Sequence, residues 1–543
     1  MGGFYRETKY GMSSYDFRAT MTYNDVYKDD HILNVFGGME LNGTDRSRSW
    51  FNGVGMQYDM GMLSNYDYRY FKQGNEENTA YYTVSRTKSR EVSFFGTATY
   101  SYQGKYTING TMRYEGSNKL GRSRSARWLP TWNVSGAWNM HEESFFESLR
   151  PSLSNFTLKA SYSLTADRGP VNVTNSLAVI MGYNPWRPLS SVNESGLQIT
   201  DLENSELTYE KKHELNIGAE VGFLENRINL AVDWYKRNNY DLIGLINTMG
   251  VGGQVSKLAN VASMESHGVE FTLSTRNIST KNFKWTTDFI FSNAKNKVTE
   301  LKSDANVMSM ISGSGFALEG NPVRSLYSLN FQGLNKEGLP TFINEKGELT
   351  VTDINFQERE NKSHLVYEGS TDPTITGSFG NIFSYKGFKL NVFMTYSFGN
   401  VIRLDPVFHN AYSDLDATPR EFKNRWTVAG DEKITTVPVI ADLRQNTMNS
   451  YLNKAYNAYN YSTERIAKGD FIRMKEISVT YEFPKTMVSK LSLSNLSLKI
   501  QGTNLFLLYA DKKLNGQDPE FFNSGGVAVP VPKQFTLTLR LGI

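Results

Sequence analysis

The chain has 543 residues and 58 Lys and Arg against 55 Asp and Glu, so its formal net charge of +3 points to no polyanionic partner. It has no Cys, which excludes disulfides and thiolate metal sites, and no apolar run long enough for a membrane-spanning helix. With 31 Tyr, 32 Phe and 44 Gly, the composition favours strands and turns over helices.

In chain order, the first predicted strand lies near Tyr15–Val26 and is followed by a short polar turn at about Tyr27–Asp30. The next clear pair is about Glu91–Ser101 and Lys105–Tyr114, joined across Gln103-Gly104. In Lys105–Tyr114 one side carries Tyr106, Ile108, Gly110, Met112 and Tyr114, and the other Lys105, Thr107, Asn109, Thr111 and Arg113. Such period-two alternation marks a strand with one apolar and one wet face. Further alternating runs are Phe156–Leu164, Glu214–Phe223, Ile228–Tyr235, His267–Leu273 and Trp285–Phe291. A second pair, about Thr374–Tyr385 and Phe388–Phe398, meets across Lys386-Gly387, and Ile477–Tyr481 and Leu496–Gln501 follow. The last stretch sets Phe535, Leu537, Leu539, Leu541 and Ile543 against Thr536, Thr538, Arg540 and Gly542. No helical period competes over a comparable length, so the chain reads as all-β.

Two readings fit such strands, a large soluble β protein and a transmembrane antiparallel β-barrel. Runs of about 9–11 residues suit a tilted strand crossing a bilayer, whereas soluble strands average about 5–6. Aromatics gather at strand ends, as with Trp128, Trp132, Trp138, Tyr106, Tyr114, Tyr396 and Phe398, in the manner of interfacial girdles. Short turns alternate with long connections at about Gly43–Arg90, Ala166–Glu206, Asp241–Glu265, Ala294–Pro373, Val401–Lys468 and Phe506–Pro532. Membrane barrels place short turns in the periplasm and long loops outside. Parity puts the strand-like run Pro322–Gly333 within an external segment. The count comes to about 15 strands, the first running inward, whereas single-chain bacterial barrels have an even number. The N-terminus also lacks an export signal. The expectation is therefore the C-terminal part of a barrel, with at least one strand ahead of Met1.

Four stretches carry a family likeness. They are Glu115-Gly-Ser-Asn-Lys-Leu-Gly121 with Arg127-Trp-Leu-Pro-Thr-Trp-Asn-Val-Ser-Gly-Ala-Trp-Asn139; Thr371-Asp-Pro-Thr-Ile-Thr-Gly-Ser-Phe-Gly-Asn-Ile-Phe-Ser-Tyr-Lys-Gly-Phe388; Asn424-Arg-Trp-Thr427; and Gly469-Asp-Phe-Ile-Arg-Met-Lys475 followed by Tyr481-Glu-Phe-Pro484. In this order they resemble the C-terminal half or more of a SusC-like, TonB-dependent outer-membrane transporter, the glycan-importer type abundant in Bacteroidetes. The resemblance implies a 22-stranded barrel in the outer membrane, of which residues 1–543 supply about 15 strands. The plug domain and first strands, with the segment that engages TonB, would precede this sequence. It further implies import of an oligosaccharide, with an oligopeptide as the alternative cargo. A SusD-like surface lipoprotein would act as a lid, usually in a dimer of SusC–SusD pairs. One departure is the final residue, Ile543, where the family usually ends in an aromatic.

Cargo contact is expected from aromatics in the long connections: Tyr183 and Trp186 in one, and Trp426, Tyr456 and Tyr459 in another that also holds Phe408, Tyr412, Tyr451 and Tyr461. Sugar rings pack their C–H faces on such planes. Lumen-facing Lys389, Asn391, Arg113 and Asn109 suit hydrogen bonds to the plug and the wall. No catalytic set emerges and no cofactor is expected. The six His are scattered, Asp414, Asp416 and Glu421 lack a calcium-loop spacing, and the segments Gly250–Gly253 and Gly313–Gly315 lack a phosphate-cradle setting. The basic run Arg122–Arg127 reads as a solvated rim, or one contacting anionic lipopolysaccharide, and not as a nucleic-acid site. A passive porin or structural surface barrel, and a soluble β-rich enzyme or adhesin, are the readings from other classes.

Overall fold

The computed structural model describes residues 3–56, 68–77, 80–169, 177–183, 196–250, 255–302, 305–312, 315–412, 418, 420–521 and 532–542. Fifteen strands form one sheet: β1 (Gly3–Tyr27), β2 (His31–Met56), β3 (Tyr82–Tyr102), β4 (Tyr106–Ser117), β5 (Trp128–Asn139), β6 (Leu153–Asp167), β7 (Glu210–Phe223), β8 (Ile228–Asn247), β9 (Ser256–Ser279), β10 (Phe283–Leu301), β11 (Ile375–Tyr385), β12 (Phe388–Phe398), β13 (Phe471–Glu482), β14 (Asn495–Ala510) and β15 (Gln534–Gly542). Each is hydrogen-bonded to its neighbours in that order, so β1 pairs only with β2 and β15 only with β14 among the described residues. The chain divides into two compact units. The first comprises Met1–Trp138, Ala160–Leu215 and Asn238–Ser263, and the second Asn139–Lys159, Asn216–Arg237 and Met264–Ile543.

Register turns the sequence alternation into rows that cross the sheet. In the second unit Phe383 faces Leu390, Leu390 faces Val479, Val479 faces Ile500 and Ile500 faces Leu537. One residue along, Ser384, Lys389, Thr480, Lys499 and Thr538 make the adjacent polar row. In the first unit Phe94 faces Tyr114 and Tyr100 faces Ile108 on the apolar side, while Phe95 faces Arg113 and Thr99 faces Asn109 on the other. Burial is inverted relative to a water-soluble sheet: Ile500 and Leu537 are 58% and 69% exposed, whereas Ser93 and Ser478 are 3% and 4% exposed. Each large apolar side chain left in water would forfeit about 1.5–3 kcal/mol. Hydrocarbon against this face removes that cost.

The tight turns Lys28–Asp30, Gln103–Lys105, Leu224–Arg227, Thr280–Asn282 and Lys386–Gly387 all connect an odd-numbered strand to the next even one, and so lie at one end of the sheet. Lys386 and Gly387 have φ of 44° and 88°, the two positive values of a two-residue hairpin turn whose twist matches the strands. Several strands outrun the expected length. β1 and β2 have 25 and 26 residues, far more than a crossing requires. The supposed connections Gly43–Arg90 and Asp241–Glu265 therefore shrink to 57–81 and 248–255. The cause is legible in Asn42–Ser49: beyond the apolar band both strand faces meet water, so the backbone ladder continues while the hydrophobic period stops.

The two longest connections, 302–374 and 399–470, are not bare loops. Ser325–Leu329 pairs with Leu365–Ser370, Phe331–Leu334 pairs with Pro340–Ile343, and Val401–Arg403 pairs with Ile466–Lys468. Helices Val307–Ile311, Leu443–Met448 and Leu452–Asn460 lie among them. Asp442 and Gln445 form a reciprocal capping box at the start of the second helix. A shared apolar core gathers Met310, Leu329, Phe342, Phe408, Tyr456 and Tyr459 from both connections. The strand-like run Pro322–Gly333 belongs to this cap and not to the wall, as parity required.

Two outcomes follow for the full-length protein. Ile500→Arg should cost about 2–4 kcal/mol of folding stability in lipid vesicles, and Gln501→Arg on the other face under about 1 kcal/mol. Tyr459→Ala should cost the cap about 3–5 kcal/mol, exposing 302–374 and 399–470 to limited proteolysis while the heat-modifiable gel shift of the wall persists.

Candidate functional site

On the polar face of the first unit, side chains from separate strands join in an ionic chain. Arg113 Nη1 lies 3.1 Å from Glu40 Oε2, and its Nε lies 2.8 Å from Glu115 Oε2. Arg168 pairs with Glu91 and lies 3.4 Å from Glu115 Oε1. Cations and carboxylates thus alternate across β2, β3 and β4 to the residue just past β6. Tyr209, fully buried just ahead of β7, has its phenol pushed up to about 12 by burial and then by the Glu115 charge. Asn109 donates to Thr99 Oγ1 at 2.6 Å, a bond within the wall itself. In the second unit Asn391 donates to Glu476 Oε1 at 3.1 Å, again within the wall.

The apolar face carries aromatic ladders. Trp132, Tyr162, His213 and Tyr240 follow one another on β5, β6, β7 and β8 with centroids 5.5, 5.7 and 5.7 Å apart. His31, whose Nδ1 is 2.6 Å from Tyr100 Oη, sits among Tyr27, Tyr100 and Tyr102 near the tight-turn end. Both groups have the composition of interfacial girdles. His31 and His213 looked scattered in sequence because register, not spacing, places them in these ladders.

The expected cargo-contacting residues separate into distinct settings. Tyr456 and Tyr459 are each 1% exposed, so neither offers a ring face to a ligand. The Tyr456 hydroxyl donates to the Val439 carbonyl, and Tyr459 packs edge-on against Phe331 and Phe408 at 5.5 and 4.9 Å. Burial pushes both phenols above their ordinary range. Their aromatic payload goes into the cap's core, which corrects the expectation of ligand contact. Trp426 is half-buried: its Nε1 donates to Glu432 Oε2 at 3.2 Å, and its ring lies over Gly338. A Cβ at Gly338, where φ is 77°, would come within 2.5 Å of that ring, so the Trp426 seat requires glycine there. Tyr183 ends the strand Val179–Tyr183, where it pairs with Gly196. Trp186, residues 251–253, Gly313, Asp414, Asp416 and Ile543 lie outside the described residues. Glu421 pairs with buried Arg465.

The motifs that carried the resemblance hold the connections to the strand ends. Asp470 accepts from the Gly399 N–H at 2.7 Å, and Arg324 pairs with Asp372 at 2.8 Å. Gly121 donates its N–H to the Leu207 carbonyl, closing 118–127 onto the start of β7. Buried Arg473 binds Asp518 and, at 2.8 Å, Glu520, fixing the last connection to β13. Sequence reasoning quoted Arg473 within a motif but did not find this role, since nothing local reveals a partner 45 positions later.

Residues 1–405 match the family described as "TonB dependent receptor-like, beta-barrel". TonB-dependent receptor P39 of Formosa agariphila is 25% identical over 586 residues, covering 97% of this chain and 53% of that protein. TonB-dependent receptor P3 of the same organism is 26% identical, covering 79% of this chain and 42% of that one. TonB-dependent receptor SusC of Bacteroides thetaiotaomicron is 23% identical, covering 86% and 44%. The solved structure of the RagAB peptide transporter superposes with a TM-score of 0.78 at 22% identity, over 99% of this chain and 56% of that one. The chain spans about half the length of the curated relatives it matches. With two-faced strands, aromatic ladders and a folded cap already in place, the chain belongs to the TonB-dependent receptor-like β-barrel family, and its strands are those of an outer-membrane barrel wall.

Proposed function

We propose that residues 1–543 are the C-terminal part of the barrel of a SusC-like importer, whose plug and first strands precede Met1. The observation that carries this reading is the pairing of a lipid-facing wall with a folded cap built from the two longest connections, all within a family of energised transporters. Oligosaccharide is the cargo favoured by the SusC-type motifs and the SusC relative. Oligopeptide is the second reading, favoured by the likeness to a peptide transporter.

In this reading a SusD-like surface lipoprotein closes over the loops, and two such pairs associate. TonB acts through the plug, whose movement releases cargo to the periplasm. No covalent bond is made or broken, in keeping with a family of transporters. Among the aromatics, Trp426, Tyr183 and Trp186 are the proposed cargo contacts, while Tyr456 and Tyr459 support the cap. Lipid and lipopolysaccharide surround the wall.

The test is uptake of labelled oligosaccharides and oligopeptides by cells carrying the full-length gene, with and without TonB. Import of a glycan that stops without TonB is expected. Peptide-only import would select the second reading, and TonB-independent leakage would select a passive porin. Residues 1–543 alone, given an export signal, should import neither. Trp426→Ala in the full-length protein should weaken cargo binding about 2- to 10-fold, the loss of one aromatic stacking partner; unchanged affinity would remove it from the cargo path.

A further inference from the structure

His364 lies in the connection 302–374, one residue ahead of the strand Leu365–Ser370 that pairs with Ser325–Leu329. It is 7% exposed, and among the described residues neither of its ring nitrogens has a hydrogen-bond partner. Buried polar groups are nearly always partnered, so an imidazole left alone calls for a reason. The groups that face it are the carboxylates of Glu345 and Glu358 and the Asn361 backbone, which closes no bond to either nitrogen. Glu358 is committed elsewhere: its Oε1 accepts the N–H groups of Arg359, Glu360 and Asn361 at 3.0, 2.8 and 3.1 Å. Glu345 has its Oε2 buried and likewise without a partner. The same stretch is tied to the core of the cap. Val307 and Met308 give their N–H groups to the Glu358 and Phe356 carbonyls at 2.9 and 2.8 Å, and Phe342 and Ile354 lie in that core.

We infer that His364 is an acid-sensitive pin of the cap: proton uptake by its ring releases 344–364 from the core while the rest of the cap holds. A neutral ring tolerates this seat. An imidazolium would leave water with no acceptor for either N–H, and a buried charge without a partner costs far more than a buried neutral group. Burial accordingly holds the imidazole below the ordinary histidine range, outweighing the pull of the Glu345 and Glu358 charges. The released segment binds the proton more readily than the packed one. Packing is therefore fully favoured above the ordinary histidine value of about 6.5 and is lost as pH falls below it. One proton makes that loss about tenfold per pH unit, down to the titration of the packed ring itself. The device is the same whichever cargo the importer carries.

Hydrogen exchange read by mass spectrometry on the full-length protein in lipid vesicles, corrected for the intrinsic pH dependence of exchange, tests this. Between pH 7.5 and 5.5 the protection of 344–364 should fall about tenfold, while that of the helix Leu452–Asn460 in the same cap stays within about twofold. His364→Gln and His364→Phe, one polar and one apolar replacement that cannot titrate, should each abolish the fall. Protection that is constant or rises on acidification in the wild-type protein would overturn the pin, since Glu345 would then have answered the imidazolium. The same fall in both variants would assign it to another group. An equal fall in Leu452–Asn460, or one that sets in only below about pH 5 where carboxylates titrate, would overturn it as well.

Discussion

Inside hydrocarbon no water is available to an unpaired backbone N–H or C=O, and each one left alone costs several kcal/mol. That constraint organises this chain. Fifteen strands give their backbone groups to one another in an uninterrupted order, and side chains are left to satisfy two solvents. The row from Phe383 to Leu537 meets lipid, and the adjacent row from Ser384 to Thr538 meets the lumen. A one-residue slip anywhere would exchange the two rows, so period-two alternation fixes register as well as class.

Beyond the apolar band the rules of a water-soluble domain return. The cap formed by 302–374 and 399–470 has buried aromatics, helix caps and short sheets, with Phe342, Phe408, Tyr456 and Tyr459 turned into its core. Arg465 and Arg473, 3% exposed, bind carboxylates from distant segments and so fix connections whose backbone has few regular partners. One polypeptide therefore carries an inverted burial pattern in its wall and an ordinary one above it.

This division explains what could be read from the residues. Strands such as Tyr106–Ser117 and Phe388–Phe398 were legible because lipid on one side and water on the other imprint a period of two. The upper reaches of β1 and β2 were not, because both faces there are wet and the sequence Asn42–Ser49 keeps no period. In the cap the aromatics were visible but their direction was not. Tyr456 and Tyr459 point into a core assembled from segments about 100 residues apart, while Trp426 rests on a glycine nearly 90 positions away. The ionic chain through Arg113 and Arg168 escaped notice for the same reason, since its partners meet only after register is set.

The central claim is that alternate side chains of the wall face hydrocarbon. Its most direct test is a nitroxide scan along 106–114 and 535–541 of the full-length protein in lipid vesicles, reading accessibility to oxygen and to a polar nickel complex. Positions Ile108, Met112, Leu537 and Leu539 should be open to oxygen and closed to nickel, with Asn109, Arg113, Thr538 and Arg540 the reverse. Equal accessibility on the two parities, or the opposite phase, would contradict it.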